Sequence, residues 1–118
     1  MSPPEADQEA IAEAVFAALV EPTRRAILGT LAARGPATAT GLARGLPISR
    51  QAVAKHLALL TEAGLVRPEP GEGRQVHYQL RTGPMGVAQS FLAALARDWD
   101  ETLGALEDHL DNVDQEQP

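Results

Sequence analysis

The chain has 118 residues, of which 44% are apolar, enough for one domain with a single hydrophobic core. It contains no cysteine, which excludes disulfides, thiolate nucleophiles and cysteine-ligated metal or iron–sulfur sites. No apolar run is long enough to span a membrane and the N-terminus lacks the features of a secretory signal, so we expect a cytoplasmic protein.

The net charge of −6 conceals an uneven distribution along the chain. Residues 1–21 carry five acidic and no basic side chains, whereas residues 22–81 carry nine Lys or Arg against three acids. Residues 82–118 are acidic again, with one Arg against eight acids. A basic centre between acidic flanks indicates a surface that can meet a polyanion, although solvated helix faces would give the same distribution.

The spacing of apolar residues predicts four helices in the first half of the chain. Pro22 suits the first turn of a helix, and Thr38 and Ser49 are good N-caps. The predicted helices span residues 9–20, 22–33, 38–44 and 49–62. Arg24 and Arg25 oppose the dipole of the second helix, so they either tie down another segment or contact a DNA backbone.

The second half of the chain predicts a β-hairpin and one long helix. Residues 65–67 and the alternating residues 74–80 predict two strands, and the proline- and glycine-rich residues 68–73 predict the turn between them. The long helix follows at about residues 85–112. We expect a mainly α domain with a small β-hairpin (α+β) over residues 9–112, in the order α-α-α-α-β-β-α, with disordered tails at residues 1–8 and 113–118.

The short third helix, a tight break and the fourth helix together are typical of a helix-turn-helix, whose second helix lies in a DNA major groove. Val53, Leu57 and Leu60 predict the buried face of that helix, and a second face carries Arg, Gln and Lys. Gln and Arg can pair with base edges, Lys suits phosphate, and the hairpin would serve as a wing. The residues predicted to contact DNA are Thr38, Thr40, Ser49, Arg50, Gln51, Ala54, Lys55, His56, Arg74 and His77.

Two stretches, EPTRRAILGTLAARG and SRQAVAKHLALLTEAGLV, with the following RQVHYQL, resemble the winged helix-turn-helix of the ArsR/SmtB transcriptional regulators. The resemblance covers about residues 9–112. It implies a homodimeric repressor that is joined by its first and last helices and binds a palindromic DNA operator.

The last predicted helix supports a dimer independently of that resemblance. Leu92, Trp99 and Leu106 lie seven residues apart, a spacing typical of a helix that packs along a partner helix. The resemblance adds the first helix to this interface, so the residues predicted at the dimer interface are Ile11, Val15, Phe16, Leu92, Trp99, Leu103, Leu106 and Leu110.

The chain departs from the metal-sensing members of the family. These carry thiolates in the third helix, where this sequence has Thr38-Ala39-Thr40-Gly41. The last helix offers His109 among carboxylates and no second histidine, a poor set of ligands for a transition metal. We therefore expect no metal site and no cofactor, and the sequence leaves any small-molecule effector open.

The sequence bears on three alternatives to a metal-independent DNA-binding regulator. The chain has no nucleophile elbow, no P-loop and no H-E-x-x-H motif, so we expect no enzyme. A metal-responsive repressor would have to use the His and Asp side chains of the last helix. A winged-helix module that has lost DNA binding would have no reason to keep the cluster of Arg50, Gln51, Lys55 and Arg74.

Overall fold

The computed structural model describes the backbone of residues 4–116 and the side chains of residues 7–113. Its elements are α1 (Pro4–Leu19), α2 (Pro22–Arg34), α3 (Ala39–Arg44), α4 (Arg50–Glu62), β1 (Val66–Pro70), β2 (Val76–Leu80) and α5 (Gly83–Glu116). This is the predicted order of helices and strands. The chain divides into two compact units, one up to Ala88 and the other from Gln89 onward. Among the described residues, no helix combines the length and the hydropathy of a membrane span.

The core of the first unit is built from the predicted inner faces of the helices. Val53, Leu57 and Leu60 of α4 are fully buried, as are Ile27 of α2 and Leu65 before β1. Burying an aliphatic side chain of this kind contributes roughly 1.5–3 kcal/mol to folding. Three such anchors on one helix hold α4 firmly against the unit and leave its opposite face free.

The predicted caps are present at both helices of the helix-turn-helix. Thr38 Oγ1 accepts a hydrogen bond from Gly41 N at 3.0 Å, and Ser49 Oγ accepts one from Ala52 N at 3.1 Å. Beyond the end of α4, Gly64 has a positive φ of 77°, a conformation that glycine adopts without strain. These local signals set the limits of α3 and α4 close to where the sequence predicted them.

Arg24 and Arg25 tie down the end of α1. Arg24 Nε donates to Ala18 O at 2.7 Å and Arg24 Nη2 to Ala17 O at 3.2 Å, while Arg25 Nη1 donates to Leu19 O at 2.6 Å. The last carbonyls of a helix have no partner within it, so these guanidinium groups satisfy them and are attracted by the negative end of the helix dipole. Of the two roles that the sequence left open, the structure supports the first.

The hairpin differs from the prediction at its turn. The predicted turn at residues 68–73 begins too early, because β1 continues to Pro70, paired with Val76. Hydrogen bonds from Gly71 N to Gln75 O and from Arg81 N to Leu65 O fix the register. In that register the nitrogens of Pro68 and Pro70 face away from β2, so the two prolines remove no hydrogen bond from the ladder.

The helices extend into both predicted tails. α1 begins at Pro4 rather than near residue 9, since proline suits the first turn of a helix. α5 continues to Glu116, because neither glycine nor proline interrupts the sequence after residue 104 until Pro118. The structure describes residues 4–8 and 113–116 as helix, within the ranges predicted as disordered tails, and residues 1–3 and 117–118 lie outside the described residues. The disorder of the tails stays a prediction.

Candidate nucleic-acid interface

The helix-turn-helix consists of α3, a tight turn and α4. Leu42 of α3 is buried, which packs the short helix against the unit. Gly45 N and Leu46 N donate to the carbonyls of Leu42 and Ala43, both at 3.2 Å, so the turn is closed by backbone hydrogen bonds. This arrangement lets α3 brace α4, as a recognition helix requires.

The outward face of α4 is polar and accessible. Gln51, Ala54, Lys55 and Ala58 are exposed, on the side of the helix away from its buried residues. Gln51 and Lys55 lie one turn apart on this outer face, with small alanines beside them. A helix with such a face can approach a nucleic acid closely enough for side chains to reach base edges.

An open groove lies between α3, the first half of α4 and the tip of the hairpin. We call it the arginine groove, because Arg44, Arg50 and Arg74 line it and none of its lining residues is acidic. The remaining lining residues are Thr38, Ala39, Thr40, Gly41, Ala54, Gln75, Val76 and Tyr78. In the described part of the chain, the one ion pair is between His56 and Glu21, so the three guanidinium groups have no counter-charge there. Concentrated positive charge of this kind attracts a polyanion.

The wing is held in place by the segment before α3. Tyr78 N donates to Ala37 O at 2.8 Å and Ala37 N donates to Tyr78 O at 3.2 Å. These bonds join β2 to the helix-turn-helix and thereby bring Arg74, near the tip of the hairpin, to the same groove as Arg50. Thr38 and Thr40 also line this groove, as does Ala54.

Two groove residues were missed by the sequence analysis, Arg44 and Gln75. Arg44 is the last residue of α3, and a four-residue break returns the chain to the first turn of α4. That short break could have indicated that an arginine at the end of α3 lies near one at the start of α4. Gln75 precedes the paired part of β2, which only the register of the hairpin defines.

His56 lies on the opposite edge of α4 from the arginine groove. It is half-buried, with Nδ1 3.5 Å from Arg24 Nη1 and 3.9 Å from Glu21 Oε2. Partial burial acts to raise the pKa of the Glu21 carboxyl, but the hydrogen bond from Arg24 N and the charge of His56 outweigh it and leave that pKa below its ordinary value. The structure therefore gives His56 contacts within the fold, and its contact with DNA stays a prediction.

His77 is directed away from the arginine groove as well. Val76 and Tyr78, its neighbours in β2, line the groove, and side chains alternate along a strand. The imidazole ring lies against Gly71, where an added Cβ would come within 2.6 Å of His77 Nδ1. The structure therefore does not place His77 with the other residues that are predicted to contact DNA.

The second unit is the helical segment that begins at Gln89, and most of its large apolar side chains are exposed. Trp99 is 69% exposed, and the predicted interface leucines of α5 are each more than half exposed. These leucines are Leu92, Leu103, Leu106 and Leu110. A contiguous apolar stripe of this length is unusual on a surface that stays in water.

The predicted interface residues of α1 divide differently. Ile11 is 38% exposed and Phe16 is half-buried, whereas Val15 is fully buried in the core of the first unit. The assignment of Val15 to a dimer interface is therefore wrong, because a residue without accessible surface cannot contact a partner. The helical period placed all three on one stripe but could not show which edge of it faces inward.

Known proteins resemble this chain in both sequence and structure. Residues 19–69 match a family model described as a helix-turn-helix domain. An HTH-type transcriptional regulator of Mycobacterium tuberculosis is 45% identical over 86 residues, which cover 73% of this chain and 76% of the relative. An ArsR-like transcriptional regulator from Rhodococcus sp. superposes with a TM-score of 0.75 at 37% identity, over 85% of this chain and 92% of that one. This chain is an ArsR-type winged helix-turn-helix regulator.

A second ArsR family transcriptional regulator agrees, with a TM-score of 0.69 and 32% identity over 78% of this chain and 93% of that one. Membership of the ArsR family makes the chain a DNA-binding transcriptional regulator. The matched residues 19–69 include α2, α3, the turn and α4, and with them the exposed face of α4 and the residues that α3 and α4 contribute to the arginine groove.

Proposed function

We propose that this ArsR-type regulator is a homodimeric repressor that binds a palindromic operator and does not sense metals. The observation that carries the proposal is the arginine groove, with three guanidinium groups without counter-charge beside an exposed α4. The chain as a whole has a net charge of −6, so this local excess of positive charge is not a consequence of composition. Duplex DNA supplies the missing negative charge.

In this mode of binding α4 enters the major groove and α3 crosses the backbone. Gln51 points from the outer face toward base edges, where its amide can pair with adenine. Lys55 and Arg74 neutralise phosphates. The hydroxyls of Thr38 and Ser49 accept hydrogen bonds from the backbone as caps and can still donate their own hydrogen to a phosphate oxygen.

The exposed stripe of α5 supports a dimer. Packing the stripes of two copies against each other would remove five large apolar side chains per chain from water, each with an accessible fraction above one half. That Ile11 and Phe16 of α1 also contact a partner stays a prediction. A two-fold dimer presents two copies of α4, so its operator is a palindrome with half-sites about 10 base pairs apart or a multiple of that. Repression needs only that the bound dimer occupies a promoter.

Footprinting on the protein's own promoter region, with the full chain, tests this proposal. We expect the footprint to show two protected half-sites on one face of the duplex. Sedimentation of the full chain should show a dimer. Arg74→Ala should weaken the footprint, whereas Arg97→Ala, which removes an exposed arginine of α5, should not. A monomer bound at one unpaired half-site, or no binding to duplex DNA at low salt, contradicts the proposal.

Metal independence rests on the available ligands. The chain has no cysteine, and among the described residues no three His, Asp or Glu side chains come together as a metal site. We expect zinc, cobalt and nickel at sub-micromolar free concentration to leave the operator complex intact in a gel-shift titration. Release of DNA that His109→Ala abolishes would show that α5 senses metal after all.

A further inference from the structure

We propose that Arg50 reads a guanine in each half-site and that Thr40 is the residue that positions its guanidinium group. The inference rests on the proposed function and goes further, because it assigns base specificity to one side chain and orientation to another. Both residues line the arginine groove, one from the first turn of α4 and the other from α3.

Arg50 occupies a position at which arginine does not favour helix stability. It is the first residue of α4, and the N-terminal turn of a helix carries partial positive charge that disfavours a cation. The first turn contains no acidic residue to compensate, and in the described part of the chain no carboxylate pairs with Arg50. A cation kept at this place without a partner in the fold points to a partner outside it.

The guanidinium group of Arg50 is already oriented. Its Nε donates a hydrogen bond to Thr40 Oγ1 at 3.0 Å. With Nε engaged, the two terminal nitrogens form a planar fork whose direction is set by α3. No other hydrogen bond of Arg50 is present among the described residues, so the fork is free to bind. The conformational entropy that Arg50 would lose on binding is thereby partly lost beforehand.

The position of Arg50 favours a base over a phosphate. In a helix-turn-helix the N-terminal residues of the recognition helix contact base edges, while the first helix crosses the DNA backbone. An arginine fork matches O6 and N7 of guanine, and this match needs a fixed orientation that a phosphate contact does not. Ala54 lies one turn further along the same edge of α4 and is small, so it leaves room for the bases.

Selection from a random duplex pool, with sequencing of the bound DNA, tests the inference on the full chain at fixed salt. We expect the wild-type protein to show one guanine per half-site whose preference Arg50→Ala lowers roughly 5- to 150-fold, the fold-change of a bidentate pair. Arg50→Lys keeps the charge but not the fork, so it should retain affinity for random duplex and lose the guanine preference.

The role of Thr40 is tested by the preference for the same guanine in each half-site. Thr40→Val removes the hydroxyl with little change of shape and should lower the guanine preference about fivefold, the equivalent of one hydrogen bond, whereas Thr40→Ser should keep it. Thr30→Val is the matched control, since Thr30 Oγ1 donates to Ala26 O at the same 3.0 Å but within α2 and outside the arginine groove. It should leave every base preference unchanged.

The outcomes separate this inference from the function on which it rests. A wild-type protein that binds no duplex overturns both. If the wild-type protein binds a palindrome and Arg50→Ala weakens all sequences equally, Arg50 is a phosphate contact and the inference alone is overturned. If Thr40→Val behaves like Thr30→Val, Arg50 keeps its role and the positioning role of Thr40 is refuted.

Discussion

The arginine groove and the exposed stripe of α5 differ in the kind of partner that each could bind. The arginine groove of the first unit is polar and lacks negative charge, and its side chains are positioned by hydrogen bonds such as that between Arg50 and Thr40. The exposed stripe of α5 is apolar and its side chains are open to solvent, with Trp99 at 69% exposure. Electrostatic attraction acts over a distance and is screened by salt, whereas apolar burial needs contact and is insensitive to moderate salt. The two surfaces can therefore be tested separately.

The largest effect should come from breaking the apolar surface. Leu103→Asp places a charge in the middle of the proposed interface, where desolvation without a partner is costly. We expect a monomer by sedimentation and loss of operator binding, because a single half-site offers only half of the contacts. Ala105→Asp is the control, since it adds the same charge to the same helix at an exposed position off the stripe. A dimeric Leu103→Asp protein would refute the assignment.

The next effect concerns the charge of the arginine groove. Replacing both Arg44 and Arg74 by alanine should weaken binding to every duplex alike. If each contacts one phosphate, the slope of log affinity against log salt should become shallower by roughly 0.9 for each residue. Fluorescence anisotropy at a series of salt concentrations measures it, with Arg97→Ala as the control. An unchanged slope would show that the groove does not face the DNA backbone.

A smaller effect, that of replacing Gln51, should distinguish a contact with a base from a contact with the DNA backbone. Gln51→Ala should cost roughly 1–3 kcal/mol on the preferred operator and almost nothing on random duplex, if the amide pairs with a base. Competition binding between the two duplexes gives the difference directly. Equal losses on both would mean that Gln51 of the outer face contacts the backbone instead.

The parts of this molecule that the sequence predicted well are those governed by local signals. Thr38 and Ser49 cap helices through hydrogen bonds to residues three positions along, so a short stretch of sequence contains the whole interaction. The buried face of α4 follows from the helical period in the same way. The helix-turn-helix depends mainly on such signals, which explains why its limits were close to those observed.

The parts that were missed depend on contacts between distant residues. Pro68 and Pro70 predicted a turn, but the register of the hairpin directs their nitrogens away from β2 and lets the strand continue. His56 stands at the border of two faces of α4, and its contact with Arg24 joins residues 32 positions apart. Val15 shares its stripe with Ile11, and only the packing of the unit shows that Val15 lies inside.

The smallest predicted effect lies away from both surfaces, at the start of α2. The pKa of Glu21 is below its ordinary value of 4.5, because the hydrogen bond from Arg24 N and the charge of His56 outweigh partial burial. A carboxyl with a lowered pKa stabilises the folded state when ionised, so its contribution is present at neutral pH and is lost as the pH falls below about 4.5 toward the lower folded value.

Glu21→Gln keeps an oxygen that can cap α2 and removes the charge. We expect it to lower the midpoint of thermal unfolding slightly at pH 7 and not at pH 3, where the wild-type carboxyl is also becoming neutral. Glu9→Gln, at an exposed position of α1, controls for the change in net charge. An equal difference between wild type and Glu21→Gln at both pH values would mean that the cap, and not the charge, accounts for the contribution of Glu21. The salt dependence of DNA binding should be the same for both proteins, since Glu21 lies on the His56 side of α4 and not in the arginine groove.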